Sequence, residues 1–332
     1  LPVVCPTILR QVLLIARASR GACQPLAALL LAKPLRERLT MPQRPAHLCF
    51  IGFGEAATAF LSGWDIARPA HITAYDRKTD IDASRALQLT QYAAHRVTPG
   101  LSLKAALQGA DTVFCLVTAD EACAAARAAA PYLAKGALWF DGNSCAPSTK
   151  RQAAAVIEAA GGRYVDLAIM SPVHPLRHHA PLLIAGSHTD AANAALQALD
   201  MKPRAVGAEV GRASAIKMIR SVMVKGLEAL TAECLLSAHR AGVADEVLAS
   251  LTASHPGIAW PRQGAYNLER MMVHGTRRAA EMREVAITIA DLGLGGEMAA
   301  ATALWQDRIA DSDTAPGADD LALRAAALLA RL

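Results

Sequence analysis

Residues 47–76 constrain the fold more than any other stretch of the chain. "HLCFIGFG" is an apolar run ending in glycines, "EAATAFLSGW" continues with helical character, and "HITAYD" is a second apolar run that closes on Asp76. Strand, glycine turn, helix, strand, acid is the order of a mononucleotide-binding βαβ unit, which implies a parallel sheet. The alternation continues to about residue 200. "DTVFCLVT" (111–118) and "GALWFDGNS" (136–144) read as buried strands separated by the Ala-rich helix "DEACAAARAAAPYLAK". After a helix capped by Gly161-Gly162, "RYVDLAIM" and "APLLIAG" read as two more strands.

Beyond Gly211 the strand signals stop. Residues 213–240 form one long, nearly all-round apolar stretch that predicts a buried helix, and further helices are expected at about 243–254, 264–292 and 297–310. The fold class predicted is an α/β Rossmann-type doubly wound domain followed by an all-α C-terminal domain. The expected divisions are 46–210 for the dinucleotide-binding domain, 211–310 for an all-α substrate and dimerisation domain, and 311–332 for a C-terminal tail. At 332 residues the chain is long enough for two such cores.

Residues 1–40 stand apart, with six basic residues against one acid, Glu37, and the first methionine of the chain only at Met41. Translation upstream of the natural start would explain this, as would an Arg-rich targeting peptide, so this extension is set aside from the fold. Its apolar runs are shorter than the roughly 20 residues a membrane span needs, and no membrane partner is expected. The net charge of +5 comes from scattered rather than striped basic residues, which argues against nucleic acid. Cys5, Cys23, Cys49, Cys115, Cys123, Cys145 and Cys234 form no CxxC pair and no zinc spacing. Reduced thiols, a cytoplasmic location and no metal centre are expected.

In "GFGEAA" the pair Gly52 and Gly54 follows a strand and opens a helix, with Ala57 where a third glycine would stand. The first glycine permits the tight turn, the second lets backbone approach a pyrophosphate, and the helix start offers free N–H groups. Gly52, Phe53, Gly54, Glu55 and Ala56 are therefore expected at a dinucleotide, although such a turn can also be purely structural. Asp76, 22 residues after Gly54, is placed to accept bonds from an adenosine ribose. Val117 and Thr118, at the end of the third strand, are expected on the same cofactor. An acid at 76 repels a 2′-phosphate while Arg77 and Lys78 attract one, so NAD and NADP both stay open, with NAD favoured.

The GxG turn, Asp141 to Pro147 ("DGNSCAP") and Gly211 to Lys217 together resemble the β-hydroxyacid dehydrogenases, the group that includes 6-phosphogluconate and 3-hydroxyisobutyrate dehydrogenases. The resemblance covers about residues 46–310 and is strongest to a bacterial branch with a distinct C-terminal helical domain. It implies that Lys217, six residues after a glycine turn, is the catalytic lysine. A desolvated lysine with its pKa lowered towards about 7–8 can take a hydroxyl proton as hydride leaves. A lysine in an apolar helix can equally snorkel to solvent. Arg220 and Ser221 share its helix face, and a cation so close would disfavour the ammonium. The resemblance also implies that Asn143 and Ser144 face the substrate, while Ser144 can be read as a helix N-cap.

Three positions depart from that pattern. Where the family has Ser-Gly-Gly, whose amides hold a substrate carboxylate, this chain has Met170-Ser171-Pro172, and proline has no N–H. An expected asparagine near Lys217 is replaced by Arg220 and Ser221, and a Lys-Asp pair by Ala280-Glu281. In "SPVHPLRHH", Ser171 and His174, with Arg177, His178 and His179, are candidates to take over substrate binding, or form a solvated basic loop. His274, Arg277, Arg278 and Glu281 fall at helical spacings and read as a solvated or subunit-contact face. The expected activity is hydride transfer between NAD or NADP and a small hydroxy acid or sugar acid, in a homodimer, with Lys217 as acid/base. An imine or ketimine reductase and a redox-inactive dinucleotide-binding regulator are the alternatives.

Overall fold

The computed structural model describes residues 44–332; the expectations for residues 1–40 lie outside the described residues. Eight strands form one sheet: β1 (His47–Ile51), β2 (His71–Tyr75), β3 (Thr98–Pro99), β4 (Thr112–Cys115), β5 (Leu138–Asp141), β6 (Arg163–Ile169), β7 (Leu182–Ala185) and β8 (Pro203–Ala205). Their order is β3-β2-β1-β4-β5-β6-β7-β8. The order reverses between β1 and β4, the switch point outside whose carboxyl ends a crevice opens. The helices of this half are α1 (Glu55–Leu61), α2 (Asp82–Ala94), α3 (Leu103–Leu107), α4 (Ala122–Ala129), α5 (Pro147–Ala159) and α6 (Thr189–Ala198).

Strands covered on both faces read as continuous apolar runs, and alternate residues feed two separate cores. Leu48, Phe50, Phe114, Leu138 and Phe140 join one core with Phe53, Phe60 and Trp64. Cys49, Ile51, Val113, Cys115 and Trp139 join the other with Ile157 and Tyr164. The sheet departs from the expected all-parallel arrangement at one place, where β7 runs antiparallel to β6, pairing Asp166 with Ala185. A parallel return needs a crossover of a dozen or more residues, usually helical. The connection from Met170 to Pro181 contains three prolines and only a short 3₁₀ turn at Arg177–His179, so the chain turns back instead.

The helical region consists of α7 (Arg212–Ala241), α8 (Ala244–Ser254), α9 (Trp260–Asp291), α10 (Glu297–Asp311) and α11 (Leu321–Leu329). Asp166, at the β5/β6 side of the sheet, accepts backbone N–H bonds from Gly211 and Ser214, each at 3.0 Å, and so holds the first turn of α7. Gly211 sits at φ +98°, and a Cβ there would lie 2.9 Å from Pro147 Cβ, so only glycine lets the helix start this close to α5.

Two expectations are corrected here. The long helix α7 is not buried all round: Ile216, Ile219, Met223, Leu227 and Leu230 form an exposed stripe, with Met223 64% accessible. Its buried face instead carries Lys225 and Glu228 beside Met218 and Leu235. The segment after 311 is also more than a tail. α11 buries Leu321, Ala325 and Leu328 in one core with Leu235 and Leu268, and Arg324 donates to the Ala265 carbonyl at 2.7 Å. Among the described residues no helix is long and apolar enough to cross a membrane.

Candidate active site

A cleft of about 750 Å³ runs along the carboxyl ends of β1, β2, β4 and β5 and is walled on the other side by α7 and α9. Gly52, at φ +83°, begins its cofactor-side wall. A Cβ there would meet the Leu116 carbonyl oxygen at 2.5 Å, so the tight turn requires glycine. At Gly54 a Cβ would meet nothing within 4 Å: the space belongs to the cleft, and the start of α1 presents unpaired N–H groups beside it. These features fit a dinucleotide pyrophosphate. Glu55, Ala56, Asp76, Arg77, Val117 and Thr118 line the same wall. Phe53 does not. Its side chain is fully buried in the core, and its backbone N–H donates to Asp76 Oδ2 at 2.8 Å.

Asp76 therefore does more than close β2. Its carboxylate ties the glycine turn to the second strand and accepts from the Lys78 N–H at 2.9 Å, which leaves lone pairs for a ribose. Arg77 is paired with Glu121 at 2.5 Å, whereas Lys78 is exposed.

On the substrate side, Lys217 Nζ donates to Ser144 Oγ at 2.8 Å. Lys217 is half-buried, with its ammonium closely surrounded by protein. Burial is the main cause that brings its pKa down to about 8. Lys225, Lys150 and Arg277 act in the same direction, and Glu281 opposes them. The cations responsible are thus not Arg220, which is exposed on the outer face of α7 and does not line the cleft. Ser221 is buried but donates to the Lys217 carbonyl of its own helix at 2.9 Å.

Asn143 is set by its neighbours. Asp141 Oδ1 accepts from its N–H at 3.0 Å and from Nδ2 at 2.7 Å. Asn143 Oδ1 is buried and lacks a partner among the described residues. Beneath it, Lys150 Nζ lies 3.0 Å from Asp141 and 3.5 Å from Asp166, while Tyr164 donates to Asp141 at 2.7 Å. The N-cap reading of Ser144 is not what the structure shows. The N-cap of α5 is Ala146, and Glu284 of α9 takes over, accepting from the Ala146 N–H at 2.7 Å and from Thr149 Oγ1 at 2.9 Å.

Of the "SPVHPLRHH" residues, Ser171 lines the cleft and His174 does not, being exposed on the loop beyond Val173. Arg177 donates to the Ser62 carbonyl at 3.1 Å. His178 and His179 face Asp200 at 3.4 and 3.1 Å, in a separate pocket. With Asp200 they bring three potential ligand atoms within 4.8 Å of one another, a grouping the expectation of no metal centre did not foresee.

The charged residues of α9 divide rather than share one solvated face. Arg278 turns inward to a buried ion pair with Glu228. Glu281 pairs with Lys225 at 2.7 Å and Arg277 at 2.6 Å, and it lines the cleft together with Arg277 and Arg270. Arg270, Lys225 and Glu284 went unread in the sequence. Their only signal was spacing along α7 and α9, which becomes informative once the two helices are known to be neighbours.

Residues 48–209 match the family described as the NAD binding domain of 6-phosphogluconate dehydrogenase, and residues 238–309 match a domain of unknown function, DUF1932. A conserved hypothetical protein from Sinorhizobium meliloti, of known structure, is 36% identical to this chain. The match covers 88% of this chain and 98% of that one, with a TM-score of 0.66. The chain belongs to that protein's family. It is a Rossmann-fold NAD(P)-binding oxidoreductase related to the 6-phosphogluconate and 3-hydroxyacid dehydrogenases, and this membership implies NAD(P)-dependent hydride-transfer chemistry. The conserved protein MTH1747, described as structurally similar to 3-hydroxyacid dehydrogenases, is 27% identical over 80% of this chain and 97% of its own, with a TM-score of 0.59. A 3-hydroxyisobutyrate dehydrogenase from Mycobacterium tuberculosis, at 16% identity and TM-score 0.62, shares the fold over 85% of this chain and 99% of its own.

Proposed function

We propose that this family member is a dehydrogenase or reductase acting on the CH–OH group of a small hydroxy acid or sugar acid, with Lys217 as acid/base. The observation that carries this reading is a half-buried lysine with its pKa lowered to about 8, 2.8 Å from Ser144 Oγ, on the wall of the cleft that also contains the glycine turn. Bound nicotinamide supplies or accepts the hydride. In oxidation, neutral Lys217 Nζ takes the substrate hydroxyl proton. In reduction, the protonated ammonium returns it and polarises the carbonyl oxygen. Ser144 Oγ orients the amine, Asn143 Oδ1 offers a fixed acceptor, and Ser171 adds a hydroxyl at the cleft edge. A lysine so placed counts against the imine reductase reading, and a redox-inactive binder would have no proton transfer for it to serve.

NAD is favoured over NADP because Asp76 stands at the ribose position and Glu121 neutralises the adjacent Arg77. The exposed stripe of α7 supports a homodimer, since an apolar face of this length calls for a covering partner. Cys49, Cys115, Cys123, Cys145 and Cys234 are free thiols, which supports a cytoplasmic location.

The test is to incubate the protein with NAD⁺ or NADP⁺ and a panel of 2- and 3-hydroxy acids and sugar acids, following the near-ultraviolet absorbance of the reduced cofactor. Reduction with one substrate class, lost in Lys217→Met while cofactor binding persists, is the expected result. Cofactor binding without turnover in either direction would overturn the reading.

A further inference from the structure

On its helical side the cleft carries a cation, Arg270, that none of these roles uses. α9 presents Arg270, His274, Arg277 and Glu281 along one side, at successive spacings of four, three and four residues. Arg270, Arg277 and Glu281 line the cleft that holds Lys217 and the glycine turn. Glu281 is already shared between Lys225 and Arg277. Arg270 is half-buried and has no ion-pair or hydrogen-bond partner among the described residues. Two guanidinium groups therefore line the cleft from α9; the Glu281 carboxylate beyond Arg277 is shared with a lysine, and Glu55 lines the facing wall.

His274, between the two arginines, registers the resulting field. Burial first, and then Arg270 and Arg277, bring its pKa down to about 4, against the pull of Glu55, so the ring is neutral at physiological pH. A partly desolvated guanidinium without a partner is unfavourable by itself and becomes favourable when an oxyanion completes its planar fork. On the opposite wall, Pro172 has no N–H to offer on the loop where the family resemblance implies a carboxylate held by backbone amides. The missing anion contact and the spare cation thus lie across one cleft.

We propose that Arg270 and Arg277 form the anion subsite of this cleft and receive the carboxylate or phosphoryl end of the substrate, with its hydroxyl-bearing end towards Lys217. The identity of the ligand as substrate rests on the dehydrogenase reading; the existence of the subsite does not. The substrate class that follows is an acid anchored from the helical side, with its recognition independent of the β6–β7 loop.

The full chain, saturated with reduced cofactor, is titrated calorimetrically with malonate, with inorganic phosphate and with neutral malonamide. The wild type is expected to bind at least one of the two anions and not malonamide. Tighter malonate binding identifies a carboxylate ligand, and tighter phosphate binding a phosphoryl one. Arg270→Gln is expected to weaken the anion about tenfold or more while cofactor affinity stays unchanged. Arg277→Gln is expected to weaken it at least as much, because it removes a second cation and leaves the Glu281 carboxylate less neutralised beside the anion. Arg270→Lys keeps the charge, loses the fork, and is expected to fall between wild type and Arg270→Gln; it serves as the probe if Arg270→Gln does not fold. Equal anion affinity in wild type and variants, no anion binding to the wild type, or a matching loss of cofactor affinity would overturn the proposal. No turnover enters this measurement, so a failed substrate panel and a failed subsite give separate results.

Discussion

Lys150 and Lys217 are both taken out of water within one network, and they end in opposite states. Lys150 is 1% exposed, yet its pKa is raised: burial penalises its charge, but Asp141 at 3.0 Å and Asp166 at 3.5 Å outweigh the penalty. Among the described residues the Lys217 ammonium has only the neutral Ser144 hydroxyl as a hydrogen-bond partner, and Glu281, which could hold its proton, is committed to Lys225 and Arg277. Its pKa accordingly falls to about 8. Burial is common to both, and the placement of carboxylates decides the outcome. One lysine is fixed as a structural cation; the other is left able to exchange a proton near neutral pH. The two are also connected, because Asp141 orients the Asn143 loop and Asp166 holds the start of α7. The buried pair thereby sets the distance between Ser144 and Lys217.

Removing each lysine should give different kinds of damage. Lys217→Met is expected to lower turnover by about 10²–10⁴-fold, with cofactor affinity by fluorescence titration and urea stability little changed. Lys150→Met leaves two buried carboxylates facing each other. It is expected to cost about 3–5 kcal/mol in urea unfolding, with activity falling in proportion to the folded fraction. Equal loss of stability in both variants would break the comparison.

Smaller effects sharpen it. As a base, Lys217 must be neutral, so kcat/KM for oxidation is expected to rise with pH and level off above about 8, while reduction shows the reverse limb. Glu281 favours the ammonium, so Glu281→Gln is expected to move both limbs to lower pH; a profile that stays in place would assign the limb to another group. Ser144→Ala removes one hydrogen bond worth about 0.5–1.5 kcal/mol, a rate loss of about 2- to 12-fold, with the pH limb shifting far less than in Glu281→Gln.

What the sequence made legible was local. The glycine turn, Asp76 and the helix starting at Gly211 are set by short-range chemistry, since turn, cap and periodicity each leave a mark within a few residues. Lys217 could be singled out because it interrupts an apolar stretch shortly after that glycine. The groups that tune it could not, because Lys225 and Glu281 lie 56 positions apart in the chain and meet only when α7 and α9 pack. Glu284 and Arg270 are hidden for the same reason. The reversal of β7 was hidden differently, since an apolar run buried on both faces carries no sign of its direction. The exposed stripe of α7 was misread because apolar residues facing a core and apolar residues left exposed have the same periodicity.

The most direct test of the central claim follows the side-chain ammonium and ε-methylene resonances of isotopically labelled lysines across pH, with Lys217→Met and Lys150→Met used for assignment. The account predicts that Lys217 titrates with a midpoint near about 8 while Lys150 remains charged throughout the range in which the protein is folded. A Lys217 midpoint at the ordinary lysine value of about 10.4, or a Lys150 that loses its proton first, would contradict it.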